Sequence, residues 1–189
     1  MLATMLSGCA AASLLTGGGP PPATFDLTAP TAFGPVGSTR AQLAVTEPTA
    51  IGALNSERIV VRPSPTVVTY LAATRWNDRL PALVQARLIE AFQNSDGVRA
   101  VSPPGGAQVS DYGLVTDLRA FEVNAYDRQA VAELNARIIA DSNGRVVASR
   151  RFRTVVPIPD TEAATVTAGL NAAFEGLSRD VVAWTLGAI

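Results

Sequence analysis

Two alternating runs joined by Asp141-Ser142-Asn143-Gly144 constrain the fold more than any other feature of this chain. Asn-Gly between such runs is the strongest short hairpin signal, because the favoured two-residue turn needs positive φ at both central positions. The spacing predicts paired strands over 130–140 and 145–156. In the first arm Leu134, Ala136, Ile138 and Ala140 face one way, and Glu133, Asn135 and Arg137 face the other. That alternation implies a sheet with one covered face and one wetter face. In the second arm Arg151 and Arg153 fall on one face, with Glu133, Asn135 or Arg137 across the hairpin. A solvated surface with cross-strand ion pairs is the ordinary reading of such a cluster. A site for an anionic lipid or a partner is the functional alternative.

The remaining segments build around this hairpin. A long strand is predicted over 112–126, and shorter ones over 24–28, 41–46, 58–62, 66–72 and 98–101. Residues 47–57 read as loop, and Pro63-Ser64-Pro65 as a turn, since proline is excluded from sheet interiors. Leu80, Leu83, Val84, Leu88, Ala91 and Phe92 recur at helical spacing, with Asn77 or Asp78 as the expected cap and Pro81 tolerated in the first turn. Gly97 is the expected left-handed residue after that helix. Val166, Leu170, Ala173, Phe174, Leu177, Val181 and Trp184 mark a second helix, with Asp160 or Thr161 as its cap. The predicted class is α+β: a mostly antiparallel mixed sheet with two amphipathic helices packed on one face.

Composition narrows the chemistry. The chain holds 189 residues, 48% of them apolar, which suits one domain with a real core. It contains no histidine, so Ser-His-Asp and Cys-His catalysis and the usual zinc ligand are missing. Asp111 and Asp117 share a strand face, but no nucleophile or oxyanion site accompanies them, and a solvated face is the simpler reading. All fifteen basic residues are arginine and the net charge is −1, so no broad basic field attracts nucleic acid. No phosphate loop or metal-ligand spacing is present, and no cofactor is expected.

Cys9 is the single cysteine, and Leu6-Ser7-Gly8-Cys9 resembles a bacterial lipobox, in which the cysteine becomes the acylated N-terminus. The expected organisation is a truncated signal peptide over 1–8, a lipidated Gly/Pro-rich tether over 9–23, and a folded domain over 24–189. Met1 to Leu6 supplies only a stub without Arg or Lys, short of a full signal peptide. A tether of about fifteen residues reaches at most ~50 Å from a bilayer. Ala10 follows the cysteine in place of the aspartate that commonly retains lipoproteins in the inner membrane, which favours the periplasmic face of the outer membrane. With Cys9 acylated, no thiol remains for disulfides or catalysis.

Arg58-Ile59-Val60-Val61-Arg62, then Tyr70-Leu71, then Arg75-Trp76-Asn77-Asp78-Arg79-Leu80-Pro81 before an amphipathic helix, resembles the ABC-type transport auxiliary lipoproteins. These are PqiC-like components of MCE-type lipid transport systems. Phe121, Phe152 and the 168–177 helix with Ser178-Arg179-Asp180 extend the likeness, from about Thr24 to Trp184. The resemblance implies a non-enzymatic docking role: an inner-membrane permease and ATPase, an MCE-domain protein crossing the periplasm, and this lipoprotein at the outer membrane. Phospholipid is the implied cargo, and a channel-like partner would suit a ring-shaped homo-oligomer. Tyr70, Arg75, Trp76, Arg151 and Arg153 are the candidate interaction residues. Trp76 also reads as a core residue stapled against Leu80 or Pro81. Competing readings are a structural lipoprotein that activates a peptidoglycan synthase or assists outer-membrane assembly, and a carboxylate-dependent periplasmic hydrolase.

Overall fold

A computed structural model describes residues 21–105 and 109–189. In chain order its elements are β1 (Ala23–Phe25), β2 (Gln42–Val45), β3 (Thr49–Ala50), β4 (Val60–Ser64), β5 (Val67–Tyr70), β6 (Thr74–Trp76), α1 (Leu80–Asn94), β7 (Ala100–Ser102), β8 (Tyr112–Asn124), β9 (Gln129–Ala140), β10 (Arg145–Pro157) and α2 (Ala163–Ala188). The class is α+β, as the apolar periodicities predict.

The expected hairpin forms: Arg145 opposes Ala140 and, past a bulge between Val146 and Ala148, Arg151 opposes Asn135 and Arg153 opposes Glu133. Gly144 adopts φ +70° at the turn and donates its N–H to the Ala140 carbonyl at 2.8 Å. β8 pairs antiparallel with the other edge of β9. Along its free edge β8 carries three short segments in succession, all parallel to it: β2 beside Tyr112, β3 beside Asp117, β4 beside Glu122. They act as one interrupted strand, with the excursion 51–59 between β3 and β4. β7 pairs parallel to β2, β5 folds back on β4, and β1 with β6 forms a separate parallel pair.

Several local expectations need correction. The predicted loop over 47–57 contains β3, whose two residues are too few to leave a periodic signal. β4 runs through Pro63 to Ser64, because a register irregularity between Val61 and Ser64 leaves the proline outside the ladder. Neither helix has the predicted side-chain cap. Arg79 is the N-cap of α1, and Asp78 instead accepts the Arg79 N–H at 2.6 Å. Glu162 is the N-cap of α2, where Asp160 accepts the Glu162 N–H at 3.0 Å. The left-handed residue after α1 is Asp96 (φ +51°), not Gly97. Gly97 serves close approach: a Cβ there would lie 2.3 Å from Leu186 Cδ1 and 3.0 Å from the Gly37 carbonyl oxygen.

α2 lies across β8, β9 and β10, while α1 lies beside it over β2 and β7. The alternating residues Ala130, Ala132, Leu134, Ala136 and Ile138 are buried under them. The core is continuous, and a run of edge-on rings crosses it, Trp76 to Phe121 to Phe174, at centroid distances of 5.9 and 6.3 Å. Each such pair adds about 0.5–1.5 kcal/mol beyond the area it buries. Phe152 and Trp184 make a similar pair between β10 and α2 at 5.4 Å.

The segment following β1 straps both helices. Asp26 holds Arg87 of α1 at 2.6 Å, and Thr28 bonds Asn171 and Glu175 of α2. Burial lowers the Arg87 pKa, but hydrogen bonds to Glu90 and Asp26 outweigh it and hold the guanidinium above its ordinary value. Arg87 is therefore a fixed charge at any working pH.

Candidate functional site

Strand alternation sets aside the sheet face turned away from the helices. One row of side chains crosses four strands there: Thr49 on β3, Asp117 on β8, Asn135 on β9 and Arg151 on β10. The next row brings Arg137 opposite Ser149. With Arg150, these residues line an open groove of about 610 Å³.

The electrostatics of this face are uneven. Arg153 is tied to Glu133 at 3.2 Å, and Arg119 to Asp117 at 3.3 Å, while Thr49 Oγ1 donates to Asp117 Oδ1 at 3.2 Å. Both carboxylates thus have partners. On this face, among the described residues, Arg137 and Arg151 make no ion pair. Arg150 opposes Ala136, so its side chain turns to the helix side of the sheet, where its guanidinium lies 5.0 Å from the Phe152 ring centroid. Planar arginine forks with hydroxyl and carboxamide groups beside them suit oxyanions such as carboxylates and phosphates. Of the candidates read from sequence, Arg151 lines the groove and Arg153 lies two residues along the same face, engaged with Glu133. Alternation within the hairpin was enough to place Arg137 with them. Thr49 and Asp117 join only because β3 and β8 extend the sheet, which no local signal announces.

Tyr70, Arg75 and Trp76 do not form one exposed site. Trp76 is 1% exposed, so it belongs to the core and offers no surface to a partner. Arg75 binds Glu57 at 3.3 Å and the Thr24 hydroxyl at 3.2 Å, tying β6 to β1. Tyr70 is half-buried beneath the Arg58 guanidinium, 3.6 Å from the ring centroid. Alternation on a three-residue strand explains the difference: Arg75 points out where Trp76 points in. Cys9 lies outside the described residues.

The fold and this face together define a class of small α+β domain, with helices on one side of a curled mixed sheet and a polar groove on the other. Residues 25–182 match the family described as ABC-type transport auxiliary lipoprotein component, and the chain belongs to that family. A crystal structure of a Xanthomonas campestris protein of the DUF330 family is similar, with TM-score 0.82 and 30% identity, covering 87% of this chain and 95% of that one. An uncharacterized protein of Bradyrhizobium diazoefficiens is 38% identical over 183 residues, covering 93% of this chain and 48% of that protein. The chain therefore spans about half the length of that relative. A PelC dodecamer from Paraburkholderia phytofirmans shares the fold alone, at TM-score 0.50 and 14% identity, over 80% of this chain and 93% of that one. Among the described residues, no helix is long and apolar enough to cross a membrane.

Proposed function

We propose that this chain is the lipid-anchored, non-catalytic docking component of an MCE-type ABC lipid transport system. Acylated Cys9 holds it on the periplasmic face of the outer membrane, and the Gly/Pro-rich residues between it and β1 serve as the tether. The domain over 24–189 receives an MCE-domain protein whose inner-membrane permease and ATPase drive transport, with phospholipid as cargo. The family match over residues 25–182 carries this reading, because it spans nearly the whole folded domain and concerns auxiliary components of ABC-type transport. The histidine-free composition agrees with a role in binding rather than in proton transfer.

Crosslinking the chain in native membranes, followed by identification of what it captures, tests the proposal. Recovery of an MCE-domain protein together with a permease or ATPase is the expected result. Recovery of a peptidoglycan synthase or an outer-membrane assembly factor without any MCE-domain protein would overturn it. So would accumulation in the inner-membrane fraction, as regards placement.

A further inference from the structure

We propose that the β9–β10 hairpin and its arginine groove rest against the headgroups of an anionic phospholipid bilayer, fixing how the domain lies on its membrane. The proposal rests on the anchored-lipoprotein reading, since an anchor brings the domain to the bilayer but leaves its orientation there to the surface itself.

Three observations converge on this face. Arg137 and Arg151 are exposed and without ion pairs among the described residues, while the neighbouring Asp117 and Glu133 are each neutralised by another arginine. Two arginines without a carboxylate partner therefore share this face on a chain whose net charge is −1. At the hairpin tip, Val146 and Val147 are 54% and 46% exposed, beside Arg145. Apolar side chains next to uncompensated arginines suit the headgroup boundary, where the valines enter the acyl edge and the guanidinium forks meet phosphate. Ser149 and Asn135 supply further polar groups within the same groove. An acidic protein surface would satisfy the arginines but would leave the exposed valines without an apolar environment.

Flotation of full-length Cys9→Ser protein with vesicles tests this without interference from an acyl anchor. The expected result is binding to phosphatidylcholine vesicles doped with phosphatidylglycerol, no binding to pure phosphatidylcholine, and release by high salt. Arg137→Gln with Arg151→Gln should weaken binding about thirtyfold. Val146→Ser with Val147→Ser should weaken it while leaving its salt dependence in place. Arg40→Gln with Arg99→Gln removes equal charge near the opposite sheet edge and should change nothing. Equal loss in both arginine pairs, no binding to the doped vesicles, or displacement by inorganic phosphate at constant ionic strength would each overturn the proposal. Unchanged thermal melting of each variant excludes misfolding as the cause. Crosslinking to the transport partner is read separately, so failure here leaves the docking role standing and failure there leaves this surface standing.

Discussion

Trp76 meets Phe121 edge-on, with ring centroids 5.9 Å apart and planes inclined at 72°. The contact joins β6, which among the described residues pairs only with β1, to the central strand of the main sheet. Phe121 in turn meets Phe174 of α2, so the small pair and the large sheet share one core.

Trp76→Ala should therefore destabilise the domain by about 3–5 kcal/mol, the range for emptying a buried aromatic site. Urea denaturation followed by circular dichroism measures it. Arg75→Ala, one residue away but exposed and singly ion-paired, should cost no more than about 1 kcal/mol. Similar losses for the two variants would contradict the assignment of Trp76 to the core and Arg75 to the surface.

Arg62 reaches from β4 to Glu122 on β8 at 2.6 Å, with the two side chains 23% and 12% exposed. Arg62→Ala should cost about 1–3 kcal/mol, because Glu122 would remain largely desolvated without its hydrogen-bonding partner. The pair Arg62→Met with Glu122→Leu should cost less than the sum of the two single changes. A double-mutant cycle on chemical denaturation reads the coupling directly, and strict additivity would deny it.

Gly97→Ala should destabilise by about 1–3 kcal/mol through overpacking, since the new methyl meets Leu186 and the backbone oxygen of Gly37. Gly187→Ala, with nothing within 4 Å of the added methyl, should be neutral or stabilising by up to about 1 kcal/mol. Thermal melting of the two variants should shift in these different senses.

A Cys9→Ser chain expressed with a complete signal peptide should melt at the wild-type temperature and appear in the soluble periplasmic fraction. The first described strand begins at Ala23, remote in sequence from Cys9, so the substitution touches none of the described contacts. Persistence in the membrane pellet through a carbonate wash would contradict the anchor.

Sequence by itself determined the elements whose stability is local. The Asn143-Gly144 signal and the alternation on either side of it marked the β9–β10 hairpin, although a bulge between Val146 and Ala148 fixes its final register, and helical spacing marked the buried stripes of α1 and α2. Arg151 and Arg153 could be placed on one face for the same reason. Tertiary structure alone decided that β2, β3 and β4 share one edge of β8, that β6 pairs with β1, and that Thr49 and Asp117 complete the arginine groove. Periodicity reports how much of a segment is buried, whereas parallel pairing depends on a partner tens of residues away. Gly97 and Asp96 show the same limit at one residue: the sequence offered glycine for the left-handed turn, and the packing of Leu186 claimed it.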